Sequence, residues 1–272
     1  MGILPALKTT SAHLLATASD SGVCWQVWQS EHFRWLQTES GTCHSAVDLR
    51  PNSNSILPHV QAMSLAWAFV EAPAAVLLAG LGGGDQLRQI NRLWPQAKVD
   101  CVDLSGKVIE LYRRYFSEFV TIKVGLKQQP IEQAMQLDAD PYDIICIDIL
   151  NDQDNPDCLW RPNFYESCQL KLSPSGVLVV NLLPKDSQQL LQLAVKLRQL
   201  FCRRMLFIPV VGCDNVILLL LNQTASFNNR DGLNKAIEYL QLQLGQTLAI
   251  DLDGLYRLNI KDARGELELW QY

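Results

Sequence analysis

The sequence predicts a doubly wound α/β domain: a mostly parallel seven-stranded sheet with an antiparallel C-terminal hairpin, preceded by a small N-terminal β-region. Three observations carry this. Ala74-Ala75-Val76-Leu77-Leu78-Ala79 runs into Gly80-Leu81-Gly82-Gly83-Gly84-Asp85, and Val99-Asp100-Cys101-Val102-Asp103 follows; this reads as a buried strand, a glycine turn, a helix, and a second strand ending in an acid. Apolar strand segments then alternate with helical ones, as in a parallel sheet covered on both faces. Finally, two apolar runs stand with only a tight turn between them, which forces an antiparallel pair.

In order along the chain, residues 1 to about 50 lack helical periodicity, and Val23 to Trp28 and His32 to Gln37 read as short strands around a turn at Gln29-Ser30-Glu31. Pro51-Asn52-Ser53-Asn54-Ser55 is a loop by composition. From His59 to Val70, Val60, Met63, Trp67 and Val70 recur at helical spacing. Strands are expected at 75–79, 98–103, 119–124, 142–149 and 176–182, with helices at 85–94, 105–116, 130–137, 161–172 and 186–201. The pair 205–211 and 215–221 forms the hairpin, since Gly212, Asp214 and Asn215 interrupt a run that would otherwise resemble a membrane span. A helix from Asp231 to Leu244 and a polar tail end the chain. The division expected is 1–55 for the β-region, 56–224 for a Rossmann-like nucleoside-binding domain and 225–272 for the C-terminal helix and tail.

Composition narrows the function classes. With 48% hydrophobic and 19% charged residues, the 272-residue chain can fill a core. A net charge of −5, with Arg113-Arg114 and Arg203-Arg204 the densest basic patches, argues against nucleic acid as the main partner. The eight cysteines show no C-x-x-C pair and, with the four histidines, no metal-ligand spacing. With no stretch read as a signal peptide or a membrane span, a reduced, cytoplasmic protein is expected.

In such a sheet the ligand lies beyond the carboxyl ends of the strands, near the point where strand order reverses. The loop Gly80 to Asp85, the acid Asp103 and Asp148 converge there. Glycines let the backbone approach a nucleoside, and Asp103 suits its ribose hydroxyls, although Ser105 beside it also suits a helix cap. Asp148 ends an apolar strand, where a desolvated carboxylate calls for a partner or a task.

Gly80-Leu81-Gly82-Gly83-Gly84, Val102-Asp103-Leu104, Tyr142 to Asp148, and Phe164-Tyr165-Glu166 through Pro174 to Asn181 resemble the spermidine synthase (polyamine synthase) family, within the class I S-adenosylmethionine-dependent methyltransferase superfamily. The similarity runs from about Gly41 to Asn222 and is closest to a divergent bacterial branch. It implies a transferase that uses decarboxylated S-adenosylmethionine, or S-adenosylmethionine itself, to pass an aminopropyl or methyl group to an unidentified acceptor, and a homodimer, with Trp25, Trp28 and Trp35 as apolar surface or as packing within the domain. By resemblance Asp148 matches the acid that takes the amine proton and Asp103 the ribose acid. Gly80, Gly82 and Gly84 match loop glycines, and Gly83 stands at the family's aspartate. His44 falls at a donor-contacting Gln, and Gln61 at the Gln or His of the Y-[QH]-E-M segment; each also reads as an ordinary surface residue. The Tyr and Glu of that segment are Val60 and Ala62 here, and the second acid of the D-x-x-D motif is Asn151. The acid-glycine pair expected at the adenine is absent from Gly125 to Gln129. The acceptor is therefore expected to be non-standard, with a non-catalytic binding or assembly module as the alternative and a nicotinamide-dependent oxidoreductase ranked last.

Overall fold

The computed structural model describes residues 7, 11–50, 55–136, 140–151, 154–223 and 230–259, with the backbone alone at 257 and 258. Strands β1 (His13–Asp20), β2 (Val23–Gln29), β3 (Phe33–Thr38) and β4 (Cys43–Asp48) form an antiparallel sheet in chain order. The turn between β1 and β2 has positive φ at Ser21 and Gly22, the backbone twist that two-residue hairpins require. Sequence reading finds β2 and β3 but not β1 or β4, whose small and polar residues carry little alternation.

Helix α1 (Pro58–Met63) tightens into a 3-10 turn, Ser64–Phe69, instead of running straight to Val70. The Ser64 hydroxyl bonds back to the Val60 carbonyl and across to Gln89, where the chain changes pitch. The main sheet then alternates strands and helices: β5 (Ala75–Ala79), α2 (Asp85–Leu93), β6 (Lys98–Asp103), α3 (Gly106–Tyr115), β7 (Val124–Gln128), α4 (Ile131–Gln136), β8 (Tyr142–Ile147), α5 (Pro162–Lys171), β9 (Leu172–Leu182), α6 (Ser187–Leu200), β10 (Met205–Pro209) and β11 (Val216–Leu221). Its order is β10-β11-β9-β8-β5-β6-β7, with β11 antiparallel to both of its neighbours. The expected fold class holds, and only one strand of the hairpin opposes the sheet.

Two expectations need correction. The third parallel strand is Val124–Gln128, not 119–124. The apolar residues before it lie in a short 3-10 turn and loop held by Asn91, whose Oδ1 accepts from the amides of Thr121 and Ile122. As an edge strand, β7 is half solvated and reads polar, which hid it. The chain after Leu244 is not all polar tail, because α8 (Leu252–Asn259) follows α7 (Arg230–Leu244) and Asn259 bonds both backbone groups of Phe207 in β10. Residues 260–272 of the expected tail lie outside the described residues.

The cores sit on the two faces of the sheet. One includes Val76, Leu78, Ile144 and Cys146 with Val27 and Leu36 of the N-terminal sheet and Leu233, Ile237 and Leu240 of α7. The other packs Leu77, Ile145 and Ile147 against α5 and α6. Trp35 is buried, Trp28 stacks on it, and Trp25 meets the His44 ring edge-on, so these tryptophans pack within their own chain. Among the described residues no helix is long and apolar enough to cross a membrane.

Candidate active site

Strand order reverses between β5 and β8, and the backbone there is as close as it can be. Gly80 follows β5 with φ +91°, and a Cβ on it would stand 2.0 Å from the Asp148 carbonyl oxygen. Only glycine permits this approach. The Gly80 amide donates to Val102 O (2.9 Å), and the Asp148 amide donates to Ala79 O (2.8 Å). These bonds pin the loop and the acid to neighbouring strand ends.

Next in the loop, Gly82 (φ +50°) passes the His44 carbonyl and Ser45 on β4. Gly84 (φ +81°) faces inward, where a Cβ would meet the Tyr112 ring at 2.6 Å. Gly83 is buried, and a Cβ on it would press on Ser45 Oγ (2.7 Å) and the Phe116 ring (3.0 Å). This loop has no room for a side chain at Gly83. The nearby acid is Asp85, at the start of α2, which accepts from the Ser45 hydroxyl and pairs with Arg88 (2.6 Å). Arg88 also donates to the carbonyls of Gly83 and Ala46. Ser45, Asp85 and Arg88 thus brace the loop against the N-terminal sheet, a role with no sequence signal short of the fold.

At the end of β6, Asp103 accepts from the Leu81 amide (2.8 Å) and from the Ser105 amide (2.9 Å). Burial pushes its carboxyl above the usual aspartate range, backbone amides of Leu81, Ser105 and Gly82 oppose that, and nearby Asp20 adds to the rise. Ser105 caps α3 by accepting from Val108 N (3.2 Å), and its hydroxyl donates to Asp20 Oδ2 (2.7 Å). Asp20 comes from the β1–β2 turn, so the N-terminal hairpin closes over this end of the site.

These elements enclose a cavity of about 640 Å³. Of the residues singled out from sequence, Gly80, Gly82, Asp103, Asp148 and His44 wall it. Gly84 and Gln61 do not. Gln61 instead donates to Ser55 O (2.6 Å) and accepts from Ala249 N (3.0 Å), tying α1 to the C-terminal segment. Val60 and Ala62 are buried in the cores. The α1 residue that does reach the cavity is His59, which sequence reading passed over; its Nε2 lies 3.7 Å from Asp148 Oδ2.

Gln129 was also missed. Because β7 runs to Gln128, Gln129 stands just beyond its carboxyl end, on the cavity wall, and its Nε2 is buried with no hydrogen-bond partner among the described residues. A buried amide left unpaired costs stability unless a ligand pairs with it.

A larger groove of about 1730 Å³ meets the inner cavity at Cys43, His59 and Leu150. Its outer wall includes the apolar Leu191, Val195 and Val211 together with Asp154, Lys185 and Asp214. The site is therefore two chambers that share His59, the ionic partner of Asp148. No cluster of metal-ligating side chains occurs among the described residues.

A sequence profile described as "Spermine/spermidine synthase domain" matches residues 54–209. A polyamine aminopropyltransferase of Chromobacterium violaceum is 26% identical over 232 residues, covering 81% of this chain and 84% of that protein. Among solved structures, a probable spermidine synthase from Corynebacterium glutamicum superposes with a TM-score of 0.71 at 16% identity, over 89% of this chain and 92% of that one. A spermidine synthase in complex with the transition-state analogue AdoDATO gives 0.60 at 13% identity, over 85% and 87%. At these identities the structural likeness speaks to the fold.

Proposed function

Since the chain belongs to the spermine/spermidine synthase family, we propose that it is a polyamine synthase-like transferase, with decarboxylated S-adenosylmethionine or S-adenosylmethionine as donor and an amine outside the standard putrescine mode as acceptor. One observation carries this reading: the inner cavity joins the glycine loop, Asp103 and the unpaired Gln129 amide to Asp148, whose partner His59 also lines a second chamber. Its volume lies in the range of small-molecule sites. The residues present fit a nucleoside. Asp103 keeps accepting capacity for a ribose hydroxyl beyond its backbone bonds, and Gln129 offers a donor for the base. The names of relatives, and the AdoDATO ligand of one neighbour, point to the same donor class.

The donor supplies a carbon activated by an adjacent sulfonium. The protein's work is to hold the acceptor nitrogen in line with that carbon and to keep it unprotonated. As the new C–N bond forms, the electrons of the broken C–S bond stay on sulfur as a thioether lone pair, and the nitrogen's surplus proton goes to Asp148. Asn181 holds Oδ1 of that carboxylate at 2.8 Å, which leaves Oδ2 facing the junction. The acceptor would enter by the outer groove, whose apolar wall and room for more than a four-carbon diamine match the loss of the family's diamine-holding residues at Val60, Ala62 and Asn151.

Titration calorimetry with S-adenosylmethionine, its decarboxylated form and methylthioadenosine tests the reading. At least one of the three is expected to bind below millimolar concentration, and failure of all three overturns the reading. Asp148→Asn is expected to keep affinity for the uncharged methylthioadenosine within about threefold and to cut turnover by at least about a hundredfold, the scale of general-base loss. An unchanged rate would make Asp148 a structural acid. Efficient spermidine formation from putrescine would refute a non-standard acceptor.

A further inference from the structure

Asp148 is gripped from one side and faced from the other. Its Oδ1 accepts from Asn181, which is fully buried and in turn accepts from Asn215 Nδ2 (2.9 Å). Its Oδ2 faces His59 Nε2 at 3.7 Å, a separation at which the two attract as ions when the ring is protonated. The two side chains are 18% and 14% exposed, so solvent screens them only in part. His59 stands in the first turn of α1, at the seam between the two chambers.

Other ionisable groups on the chamber walls are mostly committed elsewhere. Asp20 and Asp103 meet at Ser105, and Asp85 is held by Ser45 and Arg88. In the groove Asp154 pairs with Lys185 (3.2 Å), and Asp186 caps α6. His44 packs on Trp25, and Glu132 and Cys158 inside, Arg198, Asp214 and Cys213 outside, and Cys43 at the seam complete the set. Among the described residues Asp148 is the one ionic partner of the His59 ring.

We propose that His59 is a positioning residue that makes donor choice depend on charge. This rests on the nucleoside-sulfonium reading above. Neutral, the ring leaves the Asp148 carboxylate to attract a cationic sulfonium and later to take the acceptor's proton. Protonated, it neutralises that carboxylate and repels the sulfonium, while a neutral thioether nucleoside binds as before. The site thereby favours donor over its thioether product when the ring is neutral, the state in which Asp148 can also accept a proton.

The test uses methylthioadenosine and its S-methyl sulfonium analogue, which differ by one methyl group and one positive charge. Both are titrated calorimetrically at about pH 5.5 and about pH 8, the span over which histidine changes charge. The readout is the ratio of the two dissociation constants, in which effects that do not depend on ligand charge cancel. Preference for the sulfonium is expected to rise about tenfold from the lower to the higher pH in the wild-type protein. In His59→Gln the preference should be the same at both, with thioether affinity within about threefold of wild type as proof of an intact pocket. An equal ratio at both pH values in the wild type overturns the proposal without any variant. So does a pH-dependent ratio that survives in His59→Gln or, should that variant not fold, in His59→Asn. If neither ligand binds, the nucleoside reading itself falls and this inference falls with it, a result distinct from binding without charge selection.

Discussion

Gly80 shows how much one residue determines at this site. Its φ of +91° and its closeness to the Asp148 carbonyl leave no place for a methyl group, and the neighbour is backbone, which cannot swing aside. Gly80→Ala is therefore expected to cost about 3 kcal/mol or more in chemical denaturation, well above the usual point mutation. A loss under about 1 kcal/mol would mean that the crevice between β5 and β8 can open. The glycine pattern was readable because backbone demands of this kind leave a compositional trace. Its individual assignments were less so: Gly80 and Gly82 face the cavity, whereas Gly84 serves the packing of Tyr112. Asp103 and Asp148 were legible as acids at the ends of apolar strands. His59 was not, since a histidine before a helical run carries no signal until the helix is placed against β8.

At the scale of elements, strand ends decide which residues reach the ligand. Ending the third strand at residue 124 left Gly125 to Gln128, most of β7, outside it, and the contact expected there for an adenine was then absent. With β7 at Val124–Gln128, the next residue is Gln129, at the same level as Asp103 on β6 and Asp148 beyond β8. Periodicity is weakest at edge strands because one side of the strand is solvated, so this error has a physical cause. Gln129→Ala is expected to weaken methylthioadenosine binding about five- to tenfold by calorimetry, the scale of one net hydrogen bond. An unchanged affinity would place the base elsewhere.

Over the whole molecule, segments far apart in sequence are tied behind the site. Gln61 joins α1 to Ala249, Gln246 accepts from the Ser55 amide, and α7 packs its apolar stripe on the core that holds β5. Gln61 is thus expected to act through stability. Gln61→Ala should lower unfolding free energy by about 1 to 3 kcal/mol, because it strands the Ala249 amide and the Ser55 carbonyl, and should leave donor affinity within about threefold. A variant of full stability with affinity reduced more than about tenfold would restore Gln61 to the donor site. The Gln61 expectation came from matching a short motif, and motif matching records which residue occupies a position but not which way it points.

By itself the sequence determined the alternating order of strands and helices, the hairpin that ends the sheet, the glycine turn and the two strand-end acids. All of these are local: each follows from hydrophobic periodicity, from the conformational freedom of glycine, or from a charge set at the end of an apolar run. Only the tertiary structure decided that the β1–β2 hairpin closes over Asp103 through Asp20, that the Gln129 amide stands unpaired on the cavity wall, and that His59 meets Asp148 while Gln61 turns to Ser55 and Ala249. Those are matters of side-chain direction and long-range closure, set by which faces the packed core conceals, and a linear pattern does not record them.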